Sequence, residues 1–325
     1  MISLRRQYQL LIAAVILTAG ALWVGSASAL TMTPRPPTVL INGPTAANVS
    51  WTTDSAAGPN HVWYGSGGPE WTEFTGLAAG DTVRDIDVFD SNRAFLVAST
   101  PANTGRLYVG NRQTNGVYAW NEEMSFAFIP NAVAAQDYDT VWFAGYSATV
   151  YSRKIQSDAN GSFNVTLNAP NIIWALEEVN GTVWVGGTNT VLFSYNTATS
   201  GPVATRPTGI TSIDPGVSKY TKIDAYDGNA IWAVADLYVS ATFNGGSNWV
   251  NWNPQTSSII EDIKAVAADL AYGVGRNGWI YRLQGTATSG WTKTKPTSYD
   301  LLSLGAGSPT MLMAFGCCSV PASRD

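Results

Sequence analysis

The chain is poor in the residues that most active-site chemistry needs. Its 325 residues include one histidine, His61. That excludes a histidine metal cluster and leaves a Ser-His-Asp triad without a sequence signature. The only cysteines, Cys317 and Cys318, are adjacent. They cannot close a long loop, so there is no disulfide framework, and no C-x-x-C offers redox chemistry. A vicinal disulfide, a bond between chains and buried thiols all remain open for them. Charged residues make up only 13%, and the net charge is −5 with no Lys/Arg cluster after the N-terminal segment. Nucleic acid therefore finds no electrostatic footprint. No G-x-x-x-x-G-K-S/T run is present, nor a G-x-G-x-x-G between a strand and a helix, so no cofactor is expected. No D-x-D/N-x-D/N-G loop is present either, and no metal is expected. Asp85, Asp87 and Asp90 do lie close together. Asp85 and Asp87 alternate on one strand face, which can bring them to a central channel. Capping of strand ends is the simpler reading of both.

What the chain has is turn formers and aromatics: 31 Gly, 13 Trp and 14 Tyr, with 45% hydrophobic residues. This is the composition of an all-β fold with many turns and a sizeable core. Residues 1–29 read as a secretory signal. Arg5 and Arg6 precede the apolar run Leu10–Val24, and Ala27-Ser28-Ala29 offers a small-x-small cleavage site. The alternative is an uncleaved N-terminal anchor, the one expected membrane contact. Residues 30–37 read as a linker.

A repeat dominates the rest. Strand-like segments recur around a bulky residue: Trp51, Phe95, Trp142, Trp184, Trp232, Tyr272 and Leu312, with gaps of 44, 47, 42, 48, 40 and 40. That is the spacing of four-stranded propeller blades. A first strand precedes each anchor: Thr38–Asn42, Asp85–Phe89, Ala132–Gln136, Ile172–Leu176, Thr221–Ala225, Asp262–Ala267 and Leu301–Leu304. A third strand follows all anchors but the last, and a fourth follows most; the run at 202–207 is a poor strand. No segment shows sustained helical periodicity. The expected fold is a β-propeller of four-stranded antiparallel blades over residues 38–325. Seven blades are favoured. In a six-blade alternative, residues 81–325 form the propeller, His61–Phe74 completes the last blade, and 36–80 include a fibronectin III-like segment.

One turn carries a resemblance. Thr242-Phe-Asn-Gly-Gly-Ser-Asn-Trp249 resembles the Asp box, or BNR repeat, S-x-D-x-G-x-x-W, with Asn244 in the Asp position. Gly245 and Gly246 suit positive φ, and Trp249 is expected to cover the turn. Gly67, Gly68 and Trp71 repeat the pattern, and Trp291 retains its tryptophan. The chain thus resembles the propeller superfamily of sialidases and photosystem II assembly factors. The assembly-factor likeness implies protein binding. The sialidase likeness implies glycoside hydrolysis, but the F/Y-R-I-P motif is replaced by Ala127-Phe-Ile-Pro130, without its arginine.

The expected activity is that of an exported, non-catalytic scaffold, secreted, periplasmic or on the cell surface. Its partner is a protein or a surface glycan, with self-association in reserve. A structural subunit of a surface layer or fibre and a sialidase-like hydrolase are the alternatives. No catalytic residue is expected. Trp120 and Trp252 are candidates for stacking on a ligand, although packing between blades explains a repeating Trp as well. The N-x-S/T sequons at Asn48, Asn160, Asn164 and Asn180 are candidate glycosylation sites.

Overall fold

The computed structural model describes residues 38–43, 46–50, 62–65, 71–74, 76–114, 117–156, 162–166, 172–188, 192–196, 219–252, 258–285, 291–308 and 311–317. Among them the strands form seven sheets, each in chain order. The first holds β1 (Thr38–Gly43), β2 (Ala46–Ser50), β3 (Val62–Gly65) and β4 (Trp71–Phe74). The second holds β5 (Thr82–Val88), β6 (Arg93–Ser99), β7 (Gly105–Arg112) and β8 (Tyr118–Phe126). The third holds β9 (Pro130–Ala135), β10 (Thr140–Gly145), β11 (Thr149–Lys154) and β12 (Ser162–Thr166). The fourth has β13 (Ile173–Val179), β14 (Thr182–Gly187) and β15 (Leu192–Asn196). The fifth has β16 (Lys222–Ala225), β17 (Ile231–Ala235), β18 (Tyr238–Thr242) and β19 (Val250–Trp252). The sixth has β20 (Ile260–Ala267), β21 (Leu270–Gly275), β22 (Trp279–Gln284) and β23 (Trp291–Thr294). The seventh pairs β24 (Asp300–Ser308) with β25 (Met311–Cys317). One 3-10 turn, Arg276–Gly278, joins β21 to β22.

All seven expected first strands fall on β1, β5, β9, β13, β16, β20 and β24. The anchors from Phe95 to Leu312 fall on the second strands; Trp51 lies outside the described residues, as does the run at 202–207. β3 pairs with β2 and with β4 inside the first sheet. The six-blade pairing of His61–Phe74 with the last unit is not what is observed.

The second strands explain the anchors. β6, β10 and β17 are buried along their whole length. A strand covered on both faces reads as a continuous apolar run rather than an alternating one. The core accordingly lies in layers between neighbouring sheets. Phe95, Val97 and Leu107 of the second sheet meet Val133, Val141 and Phe143 of the third. Trp232, Trp252 and Val239 of the fifth meet Ile263, Tyr281 and Leu283 of the sixth. Trp232 and Trp252 stack at 5.2 Å with 17° between their planes. Such a pair adds about 1 kcal/mol beyond the area that it buries.

Candidate functional site

First strands pack side by side in chain order, β1 on β5, β5 on β9, β9 on β13, β13 on β16, β16 on β20 and β20 on β24. Each is the end strand of its sheet. An end strand presents a row of unpaired backbone groups. Carboxylates answer part of that row. Asp85 Oδ2 accepts the Val133 N–H at 2.9 Å, and Asp87 Oδ2 the Ala135 N–H at 2.8 Å. Asp224 Oδ2 accepts from Ala265 N at 2.5 Å, and Asp262 Oδ2 from Leu304 N at 2.9 Å. Between the third and fourth sheets the sense reverses: Asn131 Nδ2 donates to the Ile173 carbonyl at 3.0 Å. Asp85 and Asp87 are therefore staples between sheets. The strand-end capping expected of them is corrected, because each bond reaches the next first strand.

The electrostatics follow from this setting. Burial raises the Asp85 pKa to about 6, against the lowering effects of Lys222 and of the Val133 N–H; nearby Asp87 adds to the rise. Burial works against the charge of Lys264 as well. Asp224, 2.5 Å from its Nζ, and then Glu177 outweigh that, and its pKa lies above the ordinary lysine value.

Five first strands carry a bulge at the same place. The register skips one residue at Arg84, Asn131, Trp174, Glu261 and Leu302. A bulge frees one side chain from the alternation and re-aims it. The end of the facing second strand is glycine in three of these sheets: Gly145, Gly187 and Gly275. At Gly187 a Cβ would stand 2.7 Å from the Ile172 carbonyl oxygen, so only glycine allows the approach. The next residue then donates to that carbonyl, Thr188 N to Ile172 O at 2.9 Å; Tyr146 N to Ile129 O and Arg276 N to Ile259 O repeat the bond.

The freed side chains meet the loops that follow. Glu261 accepts from Arg276 Nε at 2.6 Å, and Arg84 Nε donates to Ser99 Oγ at 2.7 Å. Trp174 meets the ring of Tyr146 edge-on at 5.7 Å, and Lys219 Nζ stands 4.5 Å over the indole. Tyr146 is 45% exposed. Asn131, whose side chain bonds the residue before Trp174, is 8% exposed. Asn131 Oδ1 and Trp174 Nε1 are both buried without a hydrogen-bond partner. Asn131, Tyr146, Trp174 and Lys219 form one continuous group at the end of the first strands.

The turn at 242–249 joins the third and fourth strands of the fifth sheet, as its sequence implied. Thr242 Oγ1 accepts the Gly246 N–H at 2.8 Å, and Asn244 Oδ1 accepts the Asn248 N–H at 2.9 Å. Gly245 and Gly246 have φ of 66° and 91°. Trp184 of the preceding sheet lies over Gly246, where a Cβ would stand 2.7 Å from its ring. Trp249 meets Trp184 edge-on at 5.7 Å, so Trp184, not Trp249, lies directly over the turn glycine. Trp291 begins β23, half-buried beside the cluster of Trp252 and Tyr281. Gly67 and Gly68 lie outside the described residues, and Trp71 begins β4.

Trp252 is 0% exposed within its stack on Trp232. No ring face is left for a ligand, and the stacking role expected of it is corrected. Trp120 is half-buried over Gly110, its partner in register on β7. Asn180 is exposed in the β13–β14 turn with φ 52°. Asn48 and Asn164 lie in β2 and β12, and Asn160 is outside the described residues.

Two features escaped the sequence reading. One is the bulge row, signalled only by a glycine at the end of the second strand. The other is a set of aspartates in the first hairpin turns. Asp90 accepts the N–H of Asn92 and Arg93, Asp137 those of Asp139 and Thr140, and Asp227 those of Asn229 and Ala230. The signal was an Asp two residues before Asn or Asp ahead of β6, β10 and β17.

No protein-family model and no curated protein matches the chain. Solved structures do. YCF48 bound to D1 peptide is 13% identical with a TM-score of 0.56, covering 88% of this chain and 92% of that one. The chain is a β-propeller. YCF48 from Cyanidioschyzon merolae is similar at 11% identity, TM-score 0.57, covering 87% and 94%. The WD40 beta propeller domain of Doa1 is similar at 9% identity, TM-score 0.52, covering 71% and 77%. At such identities the likeness carries the fold, and the propeller's sites rest on its own residues.

Proposed function

We propose that this propeller is an exported, non-catalytic scaffold that binds a protein partner, with seven blades and Asp-box-like turns on one face. The observation that carries the reading is how its ionic groups are used. Asp85, Asp87, Asp224 and Asp262 hold neighbouring first strands together. The arginines are spent separately: Arg106 on Asp81, Arg153 on Glu123, Arg276 on Glu261. Arg93 is 2% exposed, with its guanidinium 4.6 Å from the Tyr138 ring and burial lowering its pKa. A sialidase needs three arginines converging on one carboxylate together with a free acid and nucleophile, an arrangement that these pairings disfavour. Tyr138, Tyr146 and Tyr299, by contrast, stand on exposed ground, as protein-binding anchors do. The propeller of YCF48 bound to D1 peptide gives a precedent of fold for such a role.

The test is photo-crosslinking in the producing cells, with the probe at Tyr146 and at Tyr299 on the exposed surface. A discrete crosslinked protein at either position supports the scaffold. Release of sugar from chromogenic sialosides or other glycosides, with no crosslinked protein, overturns it. N-terminal sequencing of the exported chain is expected to start after Ala29.

A second reading, self-association into a layer or fibre, has one observation behind it. Among the described residues β25 pairs on one edge only, with β24. An open edge strand is a template for another chain. A rise in mass with concentration by light scattering supports it; a monomer throughout removes it.

A further inference from the structure

The scaffold reading leaves open where a partner docks and what chemistry it brings. The outer strand of the sixth sheet, β23, answers both. Among the described residues it pairs on one side only, with β22. Its other edge presents main-chain N–H and C=O groups without a ladder. Its charge sets it apart. Of the five fourth strands among the described residues, β23 alone carries lysine; β4 carries Glu73, and β8 carries Glu122 and Glu123. Between Asp269 and Asp300 there is no acidic residue, in a chain of net charge −5.

The side chains on this edge are open to solvent. Thr292, Lys293, Thr294 and Lys295 are all exposed. Trp291 and Lys293 alternate on one face of β23, and Lys295 continues the row. Lys293 Nζ stands 5.1 Å from the Trp279 ring centre and 5.6 Å from that of Trp291, and Lys295 Nζ stands 5.7 Å from that of Trp279. Neither ammonium has a carboxylate partner among the described residues. The two indoles are half-buried against the core between the fifth and sixth sheets. They hold the lysine stems in place, so less side-chain freedom is left to lose on binding.

We propose that β23 docks an extended acidic segment of a protein partner, which joins the sixth sheet as a further strand. The main chain of the segment answers the open edge, and glutamates at alternate positions stand opposite Lys293 and Lys295. The same lysines repel the β23 edge of a second copy, so the charge that admits an acidic strand also guards the edge. A lipid surface fits less well. It asks for aromatic rings that project into it, and Trp279 and Trp291 are packed inward. Neither a lipid nor a glycan supplies the alternating donors and acceptors of a ladder. The inference rests on the scaffold reading and sharpens it.

The experiment uses the chain as the cell processes it and reads fluorescence anisotropy of a labelled, capped nonapeptide in which glutamate and valine alternate. One counterpart has glutamine for glutamate. Another carries methyl groups on two adjacent central main-chain nitrogens, so that neither of its edges pairs without a break. The glutamate peptide is expected to bind about fivefold tighter than the glutamine one, the value of two cross-strand ion pairs. Replacing both lysines (Lys293→Gln with Lys295→Gln) removes that preference, and the methyl groups abolish binding. The proposal is overturned if the methylated peptide binds as well as its parent, or if the preference survives the lysine replacements. It is overturned too if no peptide binds while polygalacturonate or phosphatidylglycerol vesicles do, or if nothing binds and the lysine variant merely self-associates. A crosslinked protein partner that persists in any of these cases keeps the scaffold and moves its docking site elsewhere.

Discussion

Asp224 in β16 accepts the main-chain N–H of Ala265 in β20, a residue 41 positions further along the chain. The bond spans one repeat and joins two sheets that share no ladder. The same carboxylate holds Lys264 through its other oxygen. Asp224→Ala is expected to lose about 2–4 kcal/mol of stability, because it strands a buried N–H and a largely buried ammonium together. Asp224→Asn keeps an acceptor and should lose less. Urea unfolding of the two variants checks the order; equal losses would mean that packing, not the bond, sets the cost.

Asp85 carries a pH dependence that comes from its burial. Its folded-state pKa of about 6 lies above the ordinary 3.8. Between those values the folded chain holds a proton that the unfolded chain has released. Stability from this group is therefore complete below pH 4 and is lost as the pH rises through 6. The loss is at most about 3 kcal/mol, at ~1.4 kcal/mol for each pH unit. Asp85→Asn should flatten the slope of stability between pH 4 and 6 and raise stability at pH 8. A slope unchanged in the variant would assign it to other carboxylates.

Gly246 meets two constraints at once, a φ of 91° and the Trp184 ring above it. Gly246→Ala is expected to cost about 2 kcal/mol, more than the ~1 kcal/mol of backbone strain alone. Adding Trp184→Phe should relieve part of the excess, and a double-mutant cycle by urea unfolding measures it. Strict additivity would mean that the ring yields freely.

Much of this architecture was legible in the sequence, for a physical reason. Second strands buried on both faces must be apolar runs, so Phe95, Trp142 and Trp232 mark the period directly. Gly245 and Gly246 announced their turn, because positive φ leaves few alternatives to glycine. The candidate site was hidden for the converse reason. Trp174 and Asn131 act through a bulge, and a one-residue register skip leaves no mark on composition. Trp252 misled because a tryptophan near an outer strand reads the same whether it stacks inward or faces solvent. Its partner Trp232 lies 20 positions earlier and two strands away, and only the fold brings the rings together.

The hairpin aspartates offer a test of how far a missed motif carries the fold. Asp90, Asp137 and Asp227 each accept two main-chain N–H groups at the entrance to a second strand. Those groups belong to the turn itself, so the bonds are local and should contribute alike in each sheet. Replacing any one by Ala is expected to cost about 1–2 kcal/mol, the value of a lost side-chain cap on main-chain donors. Asn should retain most of that, since the accepting oxygen is Oδ1 in each case. Asp137 is the exception to watch. Its turn carries Tyr138, which lies over the Arg93 guanidinium, so Asp137→Ala also loosens the cover of a buried charge in the neighbouring sheet. A larger loss at Asp137 than at Asp227, abolished when Arg93 is replaced by Met, would establish that coupling. Equal losses at the two positions would show that the turn and the buried guanidinium are independent.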